Sequence, residues 1–141
     1  MELAKKATKY IQENADKVIP IYRSRFHMEP TIGWMNDPNG LIYVDGEFHL
    51  FYQANPYEVK NENMAWGHFI SSDLIKYREV DVALYPEISK GETGCFTGSA
   101  FIENYELKLV YTRHLDVTDK KCEENQYICT TKDKIHFEKG V

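Results

Sequence analysis

The sequence predicts an all-β fold behind one short N-terminal helix. Three observations carry this. About eight short runs rich in β-branched and aromatic residues are separated by Gly, Pro, Asn and Asp turn signals, with no helical pattern between them. Aromatic residues make up 13% of the chain, with Tyr 10, Phe 7 and Trp 2, a composition suited to pleated, half-buried surfaces. Two segments, GLIYVDGEFHLFYQ and GSAFIENYELKLVYT, share one plan: strand, polar turn, strand ending in aromatics. Sandwich, barrel and propeller all accommodate such meanders. The repeated hairpin unit fits a propeller better than a sandwich.

In chain order, Glu2 to Lys17 reads as an amphipathic helix, with Leu3, Ala7, Tyr10, Ile11 and Val18 near a helical period. Pro20 ends it. Residues 1–20 are thus expected to be helix and linker, packed on the body of the protein, and residues 21–141 the β domain. Leu41 to Val44 and Glu47 to Gln53 flank Asp45–Gly46, a type I′ hairpin signal because both residues tolerate positive φ. Met64 to Ser71 is a third strand pattern. Arg78 to Leu84 alternates in the strand manner and is stopped by Pro86. Cys95 to Ile102 carries Gly98 inside it, the sign of a bulge or a close backbone approach. Leu107 to Thr112 follows a turn, and Gln126 to Thr131 with Ile135 to Lys139 forms a last hairpin.

Composition excludes several classes of function. Hydrophobic residues are 43% of the chain, enough for a core, and the net charge is −5. No basic run with interleaved aromatics occurs, so nucleic acid is not an expected partner. Cys95, Cys122 and Cys129 are odd in number and widely spaced, and the five His residues show no ligand spacing, so neither a disulfide framework nor a metal site is expected. No cofactor is implied. No apolar run approaches the roughly 18 residues of a membrane span. The N-terminal residues lack a signal-type apolar stretch, and a cytoplasmic location is expected.

Chemistry concentrates around Asp37. In NDPNG, Pro38 fixes its own φ and pushes Asp37 away from the α region, so the backbone of Asp37 is held extended. Asn39–Gly40 then turns the chain into the hairpin. Asn36 offers an amide beside the carboxylate. On its own, NDPNG is also an ordinary turn sequence. Further along, Gln53 ends FYQ, Trp66 lies in AWGH, and Phe96 and Thr97 lie in CFTGSA. Aromatic faces with amide and hydroxyl groups suit a sugar, whose C–H face stacks on rings while its hydroxyls pair with polar side chains. Core packing is the competing role for Trp66 and Phe96.

WMNDPNG, FYQANP, AWGH and CFTGSA, in this order from about Phe26 onward, resemble glycoside hydrolase family 32, the invertase, sucrose-6-phosphate hydrolase, inulinase and levanase group. The resemblance implies a five-bladed β-propeller, of which this chain holds about the first two blades, and retaining hydrolysis of β-fructofuranosides such as sucrose or sucrose 6-phosphate. It implies Asp37 as nucleophile, and Trp34, Met35, Asn36, Gln53, Trp66, Phe96 and Thr97 as substrate-binding residues. Thr97 stands where Ser is usual in the family, and Ala54 where a larger residue is common. The family's acid/base lies in a Glu-Cys motif and a third carboxylate in an Arg-Asp-Pro motif. Neither motif occurs in these residues, so the chain is expected to be truncated before the acid/base. An inactive fructoside-binding fragment remains open, as does an inulinase, levanase or fructosyltransferase relative. An incomplete propeller is also expected to associate with itself or be completed by another chain.

Overall fold

The computed structural model describes residues 1–118 and 120–140. Val141, the expected end of the β domain, lies outside the described residues. Strands β1 (Trp34–Val44), β2 (Glu47–Asn55), β3 (Ala65–Ser71) and β4 (Arg78–Glu79) form one antiparallel sheet in the order β1-β2-β3-β4. Strands β5 (Gly94–Glu103), β6 (Glu106–Thr118), β7 (Lys121–Thr131) and β8 (Phe137–Lys139) form a second sheet in the order β5-β6-β7-β8. Each sheet is a four-stranded meander, the unit of a propeller blade. The turn that opens each meander places two residues at positive φ, Asp45 and Gly46 in the first (51° and 87°), Asn104 and Tyr105 in the second (52° and 65°). That is the I′ geometry, whose twist matches the flanking strands.

The core lies between the two sheets. Phe51, Trp66 and Leu84 meet Leu107, Leu109, Tyr111 and Phe137 there, all buried. Backbone groups also cross the junction: the Cys95 N–H donates to the Met64 carbonyl at 2.7 Å, and Trp66 Nε1–H donates to the Phe96 carbonyl at 3.2 Å. The inner strands approach closely at Gly40, where a Cβ would lie 3.1 Å from Ala100.

Helix α1 (Glu2–Asn14) docks Ala4 and Ala7 against Ala65 and Val82, and Thr8 Oγ1 accepts the Val82 N–H at 2.9 Å. The helix stops at Asn14, short of the predicted Lys17. The Asn14 amide donates back to the Tyr10 carbonyl, and residues Ala15–Lys17 tighten into a 3₁₀ turn. Among the described residues no helix is long and apolar enough to cross a membrane.

The fourth strand is shorter than the alternation of Arg78 to Leu84 predicts. Only Arg78–Glu79 pairs continuously, and Leu84 returns to form an isolated bridge with Trp66. The residues between serve other partners. Val82 packs under the helix, and Asp81 reaches His136 of the second sheet at 3.0 Å.

One ion pair is enclosed in this framework. Glu92 is fully buried, and Lys139 Nζ contacts its carboxylate at 2.7 Å, the Tyr85 carbonyl at 2.8 Å and Cys95 Sγ at 3.2 Å. The ammonium also faces the Tyr111 ring, 4.8 Å from its centroid. It therefore ties β8 to the loop before β5. Removing one partner of a buried pair leaves an uncompensated charge at a cost of about 3–5 kcal/mol. Lys139→Met is expected to lower unfolding free energy in urea by about that amount. The double variant with Glu92→Leu should recover much of the loss, because no buried charge remains.

Candidate active site

Asn36 and Asp37 occupy a β-bulge. The pairing of β1 with β2 runs from Met35 opposite Ala54 to Pro38 opposite Tyr52, so two residues of β1 face the single residue Gln53. Bulges re-aim side chains and are frequent beside active sites. Pro38 fits because β1 is an edge strand of its sheet, hydrogen-bonded only to β2, so its missing N–H removes no second ladder. A matching irregularity occurs in the second sheet. Phe96 pairs with Thr112 and Gly98 with Tyr111, leaving Thr97 unpaired. Gly98 is needed there, since a Cβ would lie 1.9 Å from the Val110 carbonyl oxygen. The bulge signalled by that glycine in the sequence is therefore present.

The two bulges border one open hollow of about 400 Å³. Asn36, Asp37 and Gln53 line one side, and Phe96 and Thr97 line the other. Asn36, Asp37 and Thr97 are exposed, as a group that must meet a soluble ligand requires. Gln53 is different. It is 3% exposed, and among the described residues neither its Oε1 nor its Nε2 has a hydrogen-bond partner. A buried amide without a partner costs about 1–3 kcal/mol, and a hydroxylated ligand would satisfy both atoms.

The floor of the hollow is braced. The Phe96 ring stacks on the His114 imidazole, with centroids 4.1 Å apart and planes 13° from parallel. His114 is itself held by Glu124 at 2.9 Å and Asp116 at 3.1 Å. An apolar ring face opposite amide, carboxylate and hydroxyl groups is a surface for a sugar ring.

Not every sequence candidate reaches the hollow. Trp66 is fully buried in the core and acts there only through its bond to the Phe96 carbonyl. Met35 packs on the cluster of Leu50, Tyr52, Ala54 and Phe69, and Trp34 is half-buried beside it in β1; neither lines the hollow. Conversely, the lining includes Asn61, Met64, Thr112 and Glu124, which the sequence reading missed. Asn61 and Met64 come from the segment between β2 and β3, and Glu124 from a charged stretch of β7. No local motif marks any of the three. Thr112 lies in the middle of β6, opposite Phe96, where the predicted run LKLVYT ended.

Comparison with known proteins agrees with this geometry. Residues 27–141 match the model of the glycosyl hydrolases family 32 N-terminal domain. The Escherichia coli sucrose-6-phosphate hydrolase is 42% identical over 118 residues, covering 81% of this chain and 25% of that protein. A Bacillus subtilis levanase is 48% identical over 82 residues, 58% of this chain and 12% of that protein. Among solved structures, a Bombyx mori family 32 β-fructofuranosidase in complex with sucrose superposes with a TM-score of 0.90 at 38% identity, covering 99% of this chain and 29% of that one. The sucrose-6-phosphate hydrolase from Lactobacillus gasseri gives 0.81 at 30% identity, over 94% of this chain and 27% of that one. The chain thus spans about a quarter of the length of the relatives it matches. Two blade-like meanders, paired bulges around Asp37 and Thr97, and a match that runs through both sheets establish that this chain belongs to glycoside hydrolase family 32.

Proposed function

We propose that this chain forms the nucleophile side of a retaining β-fructofuranosidase site, acting on sucrose or sucrose 6-phosphate. The observation that carries the proposal is the exposed Asp37 carboxylate facing the same hollow as the buried, unpartnered Gln53 amide. The sugars named in the descriptions of the similar proteins support the choice of substrate. Asp37 attacks the anomeric carbon of the fructosyl ring and forms an ester, while the glucosyl oxygen leaves with a proton. Water then cleaves the ester, with retention overall. Asn36, Gln53 and Thr97 bond the fructosyl hydroxyls, and Phe96 carries its apolar face. The retaining step needs a carboxylic acid about 5–5.5 Å from the nucleophile. We assign that role to no residue of this chain, so the hollow described here is one side of the catalytic pair. A sugar phosphate does not cross membranes unaided, which supports a cytoplasmic site of action.

We also infer that the chain associates with a second copy or a complementing chain. The face of the second sheet turned away from the core carries Val110 beside Ile128, which is 50% exposed, an apolar strip of the kind that a further blade covers. Sedimentation of the purified protein should show an oligomer. A monodisperse monomer with a sharp unfolding transition would remove this part of the proposal.

Two substitutions test the site. In the chain complemented by a segment that supplies the acid and restores glucose release from sucrose, Asp37→Asn is expected to reduce that release on the order of 10⁴-fold or more, the scale for loss of a nucleophile. Unchanged turnover would remove Asp37 from the chemistry. Gln53→Leu should separate binding from folding. Ligand-free stability in urea should hold or rise by up to ~1–3 kcal/mol, because an unpaired buried amide is gone. Sucrose-induced shifts in the NMR spectrum of the same variant should disappear. A fall in stability with binding intact would make Gln53 a structural residue.

A further inference from the structure

We propose that His114, Cys122 and Glu124 form a binding site for one zinc-class divalent cation at the rim of the hollow, with Asp116 orienting the imidazole. Their candidate ligand atoms all lie within 4.8 Å of one another. The register of β6 and β7 brings them together, because His114 pairs with Glu124 and Asp116 with Cys122. Residues two apart on a strand share a face. His114 therefore presents its side chain beside those of Glu124 and Cys122, with Asp116 against the other imidazole nitrogen. The same strand geometry explains why the site is not legible in the sequence. The pairs His-x-Asp and Cys-x-Glu match no linear zinc spacing, and the expectation of no metal rested on linear spacing alone.

The donor set selects the class of ion. A thiolate with an imidazole and a carboxylate suits zinc and its neighbours, whereas calcium and magnesium take oxygen ligands almost exclusively. Zinc sits about 2.0–2.3 Å from such donors, so the ligand atoms must adjust to roughly 3.2–3.8 Å of one another, the imidazole–carboxylate pair opening and the thiol closing in. Cys122 and Glu124 are exposed at the strand surface and can do so by changing rotamer. Three protein ligands leave a fourth position for water.

The imidazole is already oriented. Its Nδ1 lies 2.9 Å from Glu124 Oε1, on the side where the ion would bind, and its Nε2 lies 3.1 Å from Asp116 Oδ1. A metal-bound histidine donates its other N–H to a carboxylate in this way, which fixes the tautomer. His114 also carries the Phe96 ring of the hollow. Occupancy would lock that stack and draw Glu124 from the lining to the ion.

The test is titration of the reduced, untagged protein with Co²⁺, followed spectroscopically. The proposal expects one Co²⁺ per chain, a thiolate-to-cobalt charge-transfer band in the near ultraviolet, and displacement by Zn²⁺. Cys122→Ser should abolish the band, whereas Glu123→Gln should keep it. Asp116→Asn should retain the band but weaken affinity by about 10–100-fold. Absence of the band from the unsubstituted protein overturns the site, and so does a band that survives in Cys122→Ser. Unchanged affinity in Asp116→Asn removes that residue from it.

Discussion

The register shift that sets Asn36 and Asp37 against Gln53 is the constraint on which the site depends. In an uninterrupted ladder, adjacent side chains point to opposite faces of the sheet, so an amide and a carboxylate next to each other could not share one ligand. The extra residue in β1 breaks that alternation locally and brings both to one hollow. Pro38 holds the preceding carboxylate in extended backbone, and the edge position of β1 tolerates the missing N–H donor. The same device recurs at Thr97 in the second sheet, where Gly98 permits a backbone approach that any side chain would block. Two bulges, one per sheet, face each other across the hollow.

A bulge aims a side chain accurately only if the sheets that carry it do not shift. Here the sheets are joined by a shared aromatic and aliphatic core, by backbone bonds from Cys95 to Met64, and by the Trp66 indole bonded to the Phe96 carbonyl. The buried Glu92–Lys139 pair adds a directional tie between the loop before β5 and the outermost strand β8. Trp66 thus acts on the hollow from the core, by fixing the backbone of the residue whose ring lines it.

Much of the fold was legible in the sequence because it rests on local rules. The Asp45–Gly46 turn, the strand runs beside it and the bulge at Gly98 follow from positive φ, period-two alternation and the space a glycine leaves. The failures are tertiary. Arg78 to Leu84 alternates like a strand, yet its middle residues are recruited by the helix and by His136, which outweigh a few ladder bonds. Asp37, Asn36, Gln53, Phe96 and Thr97 carried motif signals, and they meet at the hollow. Asn61, Met64 and Glu124 carried none, because a residue that lines a pocket from a neighbouring segment needs no local pattern. The motifs also named Trp66 and Met35, which the structure places away from the hollow, because motif membership does not distinguish a residue that lines a hollow from one packed behind it.

Gln53 bears on the proposal that the hollow takes a ligand. A side chain that is 3% exposed belongs to the core by area, and the core around it is aromatic and aliphatic. Leu or Met would fill the same volume without two unpaired polar atoms. A buried amide without a partner costs about 1–3 kcal/mol, which a hydroxylated ligand reaching Gln53 would offset. Several neighbouring polar groups bond elsewhere: Trp66 bonds Phe96, Asn55 bonds Lys60 and Tyr57, and Thr112 bonds Thr97 and Gln126. What remains within the hollow is the volume that a polyol would occupy, bounded by the carboxylate of Asp37 on one side and the braced ring of Phe96 on the other. A hydroxylated ligand, as proposed above, would account for both the polar burial and the open volume.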